Sequence, residues 1–414
     1  MQPVDIASPT KPGILFVTEV PPAKLSLNGF SPRVHHFLTA LSRDADVHLV
    51  LICIGGRIME MGGIAELPLS SVQTLLVPAR PTALGLWGKM RRASRYVLPS
   101  DPSSVYPMRL GAFDDHVRRL RPQAVATHLP ILAGLGLGLP PEIKIISVLE
   151  EASERLLPTS LSSKAALHRM LAVRVETRRM RSFYPRVGAR SDLNVLISDE
   201  DRAYFGKSLP DKRTVVVPHA IDCDVFSPAM IRDEVADFDI AVFGDLAQPR
   251  NWLGIREVMD AAAQAHTPAR NWRWLLVGNL TDDVRRGLVA FPRVTVTGFV
   301  DDIRPWYGRA KVILVPALAG PGVKSTVLQA WAMQRPVVTT QHGRRGLPAE
   351  PGVNVLVGSS ATAVVDAIAE ALASKELRDR LGRAGRETVL TQRRIEFVAA
   401  QFRDHCMRVL NEER

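Results

Sequence analysis

Residues 320–340 read GPGVKSTVLQAWAMQRPVVTT, and this stretch decides the fold. The apolar run Val312–Pro316 precedes it. After Gly320, Pro321 and Gly322, no Gly or Pro interrupts Val323 to Met333, and Val337–Thr340 is β-branched throughout. Strand, glycine turn, helix and strand therefore follow in order, the repeating unit of a parallel α/β sheet. On the helix, Val327, Leu328 and Trp331 share one face, while Ser325 and Gln329, four apart, share another. The first amides of such a helix have no intrahelical partner and carry about half a positive charge. Glycines let a phosphate approach the backbone, and Lys324 adds a mobile cation. One face of the segment packs; the other suits an anion.

Outward from this unit, apolar runs of strand length alternate with helix-length segments along nearly the whole chain. The first half predicts strands near Ile14–Val20, Val47–Cys53, Val72–Ala79, Gln123–Thr127, Ile143–Leu149, Leu193–Ser198 and Thr214–Pro218. The second predicts them near Asp239–Gly244, Trp272–Gly278, Val294–Phe299, Val312–Pro316, Val337–Thr340 and Asn354–Gly358. Two open sheets are expected, divided at VVVPHAIDCDVFSP, residues 215–228, which has Pro near both ends and little helical pattern.

The segment 320–340 resembles the donor-site helix of the GT-B glycosyltransferases, in particular the GT4-like family of retaining, nucleotide-sugar-dependent enzymes. That family has a glycine turn, a Lys, then VLEAMA and a G-x-P-V-V strand, matched here by Val327–Ala332 and Arg335–Val338. Where it often has two Glu eight apart, this chain has Pro321 and Gln329. The resemblance implies two Rossmann-like parallel-sheet domains facing across a cleft: an acceptor domain over 1–217, a hinge over 218–228, a nucleotide-sugar domain over 229–385, and a C-terminal helix over 386–414 that packs back on the first domain. It also assigns residues. Lys324, with Gly322, Val323, Ser325 and the helix amides, faces the donor diphosphate; Arg250 and Asn251, after the strand DIAVFG, flank it. Gln329 meets the ribose, and Gly298 and Phe299 sit in a loop whose backbone meets the nucleobase. Gly29, beside Asn28, lies across the cleft, and His128, at a strand end before HLPILAGLGLGL, approaches the transferred sugar. His128 and Lys324 are the expected catalytic residues.

Other groups read as structural. His35 and His36 lie on a helix beginning at Ser31 and Pro32, a good N-cap and first-position pair, and read as packing or flank residues. Glu150 and Glu151 follow a strand and read as capping or dipole-complementing acids, with Ser153 nearby. Ser198 with Asp201 reads as a capping pair.

The 414 residues exceed one comfortable core, and a chain 46% hydrophobic and 23% charged is globular. No apolar run approaches the ~18 residues of a membrane span, and the N-terminus lacks a basic-then-apolar leader. Cys53, Cys223 and Cys406 have no metal-ligand spacing and read as packing residues in a reducing cytoplasm. The net charge of +11 favours anionic partners. No nucleic-acid-binding signature is present, so nucleic acid is not expected. Leu86–Val97, LWGKMRRASRYV, has an apolar face amid basic residues and could touch an anionic membrane peripherally. No metal and no cofactor beyond the nucleotide sugar is expected. The partners are that sugar donor and an acceptor glycan, lipid or small molecule. A sugar-nucleotide binding subunit with weak or no activity, or a GT-B-type epimerase, is the alternative; an NAD-linked oxidoreductase ranks lower, because no G-x-G-x-x-G follows the first strand.

Overall fold

The computed structural model describes residues 11–24, 30–54, 63–77, 111–150, 167–231, 236–265, 268–320 and 322–412. Two all-parallel sheets are present, as expected. The first contains β1 (Gly13–Thr18), β2 (Asp46–Ile54), β3 (Ser71–Val77), β4 (Ala124–His128), β5 (Lys144–Glu150), β6 (Leu193–Leu196) and β7 (Thr214–Val216), in the order β3-β2-β1-β4-β5-β6-β7. The second contains β8 (Phe238–Phe243), β9 (Trp274–Val277), β10 (Val294–Gly298), β11 (Ala310–Val315), β12 (Val337–Thr340) and β13 (Leu356–Gly358), in the order β10-β9-β8-β11-β12-β13. In each sheet the order reverses at the first strand, between β1 and β4 and between β8 and β11. Ligands of open α/β sheets bind at such switch points, beyond the carboxyl ends of the strands.

The strands read as continuous apolar runs because helices cover both faces. In β1, Ile14 and Phe16 pack in one core with α1 (Phe30–Leu41), while Leu15 and Val17 pack on the other face against α2 (Gly111–Leu120). The remaining longer helices are α3 (Leu167–Arg190), α4 (Asp199–Phe205), α5 (Pro249–Gln264), α6 (Ser325–Ala332), α7 (Ala361–Ala373), α8 (Lys375–Gln392) and α9 (Ile395–Asn411). In β8, Ala241 and Phe243 face the core under α6, and Ile240 and Val242 face the one under α5 and α7.

Two helix expectations change. α1 starts at Phe30, so Ser31 lies buried inside the first turn instead of capping it. The C-terminal segment assigned to 386–414 begins in the middle of α8, which belongs with the second domain: a Cβ on Gly385 would sit 2.3 Å from Trp331 of α6. The chain crosses back only at Arg393 and Arg394, where Ile221 N–H donates to Arg393 O at 2.9 Å and Ile395 N–H to Ile221 O at 3.0 Å. α9 then lies on α1, with Phe402 stacked on Phe37 at 4.0 Å.

Among the described residues no helix is long and apolar enough to cross a membrane. The membrane-facing expectation for Leu86–Val97 falls outside the described residues, as do Asn28, Gly29, Glu151, Ser153 and Pro321.

Candidate functional site

At the switch point of the second sheet a cavity of about 660 Å³ opens between the segment after β8, Gly244–Leu246, and the segment after β11, Pro316 and Ala317. Backbone packing makes this room. β8, β9 and β10 each run into a glycine of positive φ: Gly244 (140°), Gly278 (140°) and Gly298 (73°). A Cβ on Gly278 would lie 1.8 Å from the Gly244 carbonyl oxygen, so the first two strand ends are held closer than any side chain allows.

Of the residues assigned from sequence, Arg250, Asn251, Phe299, Val323, Lys324, Ser325 and Gln329 line this cavity. Gly298 and Gly322 shape its turns, with φ of 73° and 76°. Arg250 enters on the first turn of α5, which Pro249 opens. Lys324 is the N-cap of α6. The two cations meet over Gly320, φ 101°: a Cβ there would lie 3.6 Å from Arg250 Cδ and 3.9 Å from Lys324 Nζ. The turn is held from behind by His342, whose Nε2 is 2.7 Å from Gly320 O. Two cations, a bare backbone and the N-terminal end of a helix thus converge on one corner, an arrangement suited to phosphate oxygens.

Gln329 occupies the boundary between cavity and core. Its Oε1 accepts from the buried Tyr307 hydroxyl at 3.0 Å, and Tyr307 in turn stacks on Phe243 at 4.0 Å. Burial pushes the Tyr307 phenol up, which keeps it a donor. Asn251 is engaged by its own loop, donating to Asp245 O at 2.8 Å. Phe299 stands 59% exposed at the cavity edge, an aromatic surface open to a planar ring.

The opposite wall comes from the first domain through Phe30, the first residue of α1. Behind Phe30, which lies edge-on to its ring at 6.1 Å, is His128, fully buried at the end of β4. His128 Nδ1 is 3.0 Å from Thr18 Oγ1 at the end of β1, and its Nε2 is 3.5 Å from Glu150 Oε1 at the end of β5. Glu150 is no capping residue. It has φ 57°, rare for a non-glycine, and its carboxylate accepts from Arg33 Nε at 2.8 Å. Burial pushes this carboxyl up, but the Arg33 charge and the contacts with His128 outweigh it and hold it at about 2. Three strand ends of the first switch point therefore share one buried polar network with α1. Ser198 caps α4 as expected, accepting from Asp201 N at 3.1 Å and donating to its carboxylate at 2.6 Å.

Sequence reading missed Gly244, Gly278, Tyr307 and Arg33. For the glycines a signal existed, one at the end of each strand in turn. For Arg33 there was also one: it lies four and eight residues before Phe37 and Leu41, on the buried stripe of α1, where a cation requires a buried anion. Asp-x-Asp spacings were likewise passed over, at Asp44 and Asp46, Asp199 and Asp201, Asp222 and Asp224, and Asp237 and Asp239. These acids do not line the cavity. Asp222, Asp224 and Glu396 bring carboxylate oxygens within 4.8 Å of one another, but Arg394 pairs with Asp224 and Glu396 at 3.1 Å each, and Asp222 accepts from the Asp224 and Val225 amides.

Residues 237–374 match the model of the family described as Glycosyl transferases group 1. No curated protein matches the chain. Among solved structures, sucrose-phosphate synthase from Thermosynechococcus elongatus aligns with a TM-score of 0.68 at 18% identity, over 96% of this chain and 99% of that one. A glycosyltransferase from Rickettsia africae ESF-5 gives 0.67 at 12% identity, over 97% and 100%. Anabaena HepE in complex with UDP-glucose gives 0.65 at 13%, over 96% and 99%. The fold is that of the GT-B glycosyltransferases, and the family match covers the domain that holds the cavity.

Proposed function

We propose that this chain, GT-B in fold and with a second domain of group 1 glycosyl transferase type, transfers a sugar from a nucleoside-diphosphate sugar to an acceptor hydroxyl on a glycan, lipid or small molecule. The observation that carries this reading is the meeting of Arg250, Lys324 and the α6 N-terminus around Gly320, with both cations lining the 660 Å³ cavity. The two cations and the helix amides stabilise the charge that develops on the departing diphosphate. Phe299 packs against the base and Gln329 meets the ribose. The acceptor sits on the first-domain side of the cleft. The resemblance to GT4-like enzymes supports transfer with retention: the acceptor approaches the face the diphosphate leaves, and a diphosphate oxygen takes its proton. The same resemblance assigns His128 to the reacting sugar; it lies fully buried behind Phe30 and does not line the cavity, so it meets the sugar only when Phe30 is displaced.

A thermal-shift panel of UDP-, GDP-, dTDP- and ADP-sugars identifies the donor, because a ligand of the folded state raises its apparent stability. Lys324→Ala removes a charge-assisted contact of about 1.5–3 kcal/mol, so nucleoside-diphosphate affinity falls about tenfold or more in calorimetric titration. Unchanged affinity refutes the phosphate assignment. Turnover with that donor, and the anomeric configuration of the product by NMR, test transfer and retention. Donor binding without transfer to any acceptor is the signature of a binding subunit, favoured by the missing Glu pair, whose two places hold Pro321 and Gln329. Donor consumption without acceptor is that of an epimerase.

A further inference from the structure

The Arg33 guanidinium, 1% exposed, makes more contacts than Glu150 alone requires. Its Nη1 donates to Pro218 O at 2.6 Å and its Nη2 to Val217 O at 2.7 Å. With Val217 and Pro218 the chain leaves β7 and enters the connection to the second domain. These carbonyls belong to no sheet ladder, so the guanidinium satisfies acceptors that burial would otherwise leave costly. Three neighbouring contacts point the same way. His36 Nε2 lies 3.2 Å from Asp222 Oδ2 in the same connection, Phe37 stacks on Phe402 of α9, and Arg33 itself lies over the Phe37 ring at 4.5 Å. The outgoing and returning crossings are hydrogen-bonded to each other through Ile221. One helix thus touches the outgoing crossing and the helix that follows the returning one, while its first residue, Phe30, walls the nucleotide cavity.

We propose that Arg33 is a positioning residue: it locks the hinge carbonyls of Val217 and Pro218 to Glu150, and so fixes the angle at which α1 presents the first domain to a nucleotide bound on the second. The consequence for turnover rests on the transfer reading above; the lock does not. A planar fork that serves three acceptors at once has no equivalent in lysine, whose ammonium is a single point charge. The role is mechanical. Arg33 touches neither donor nor acceptor, and it acts through the hinge and through the carboxylate beside His128.

The test is peptide-resolved hydrogen–deuterium exchange on the full-length apo protein, with calorimetry and turnover alongside. Arg33→Met alone strands a buried carboxylate and is a poor folder, so the working variant is Arg33→Met/Glu150→Gln, which leaves neither charge unpaired. In it, the amides of Val217 and Ile221, hydrogen-bonded in the native chain to Leu196 and Arg393, exchange about tenfold faster or more, while β1, β4 and the second sheet stay within about twofold. Glu150→Gln alone leaves the Arg33 charge without its counter-ion but keeps an oxygen for Nε and both hinge carbonyls for the Nη atoms, so hinge exchange stays well below that of the double variant. Arg33→Lys does not restore protection. Turnover falls about tenfold in the double variant while nucleoside-diphosphate affinity, measured with UDP and GDP, stays within about twofold, a kcat effect. Unchanged hinge exchange overturns the proposal, and so does equal acceleration across all of β1 to β7, which marks Arg33 as packing only. If neither nucleotide binds the wild type, the cavity reading fails, and the exchange data still decide the hinge.

Discussion

Gln329 faces two environments at once, and that makes it the most informative single position. Its oxygen is held by Tyr307 and its side chain borders the cavity, at the position where the GT4-like enzymes that the segment resembles often have a Glu. Gln329→Glu retains the Tyr307 hydrogen bond, so the melting temperature stays within about 3 °C of wild type. A carboxylate takes stronger hydrogen bonds from vicinal hydroxyls, so affinity for a ribonucleoside diphosphate rises about three- to tenfold, and that for its dideoxy analogue does not. Calorimetry on the two nucleotides decides it; an equal change in both removes the ribose assignment. Tyr307→Phe deletes only the hydroxyl and costs about 1 kcal/mol in denaturant unfolding. At this scale the sequence was legible where chemistry is carried by neighbours in the chain: Lys324, Ser325 and Gln329 share one turn-and-helix unit. Tyr307 was not, because its partner lies 22 residues away across a strand, and no local pattern records that contact. Glu150 was misread for the same reason, its partner Arg33 being 117 residues distant.

Among the elements, α6 and α8 show how a small residue decides a packing. Gly382 and Gly385, three apart on one face of α8, let that helix settle on the Gln334 carbonyl and the Trp331 indole, and Trp331 Nε1 donates to Asn354 O at 2.9 Å beneath them. Helix propensity alone favours Gly385→Ala by about 1 kcal/mol. The new Cβ, 2.3 Å from a fully buried Trp331, reverses the sign, and the variant loses about 1–3 kcal/mol. Gly111→Ala, where the Cβ meets nothing within 4 Å, stays within about 0.5 kcal/mol. Urea titration of the pair separates packing from propensity; equal effects would mean α8 is not seated on Trp331. Strands and the α6 turn were legible because period and punctuation are local signals. The break between α8 and α9 was not: residues 391–396 read TQRRIE, with neither Gly nor Pro, and the interruption is imposed by the Ile221 crossing.

For the molecule as a whole, the hinge and the base of α1 bury histidines, and acid should unfold it there. Burial pushes His35 down to about 4, with His36 and Lys24 adding to it; burial does the same to His219, reinforced by Arg33. In the unfolded chain both titrate near 6.5. Between about pH 6.5 and 4 the unfolded state therefore binds protons that the folded state refuses, so stability falls with pH across that window, by up to about 1.4 kcal/mol per pH unit for each histidine. Glu150, held at about 2 against 4.5, adds a further loss at lower pH, its contribution being present above 4.5 and gone below 2. Urea midpoints at pH 7 and pH 5 test this, and His219→Asn should flatten the slope; a midpoint that does not move between these values refutes neutral burial. The amino-acid sequence by itself determined two parallel sheets and the glycine turn that leads into α6, since each depends on periodicity or composition within some twenty residues. Only the tertiary structure decided which buried charges meet: Arg33 with Glu150, and Arg33 with hinge carbonyls 184 and 185 residues away. The pairing of buried charges is a matter of distance through space. That distance is fixed when the sheets, the two crossings and α1 close on one another, and no stretch of the chain taken alone contains it.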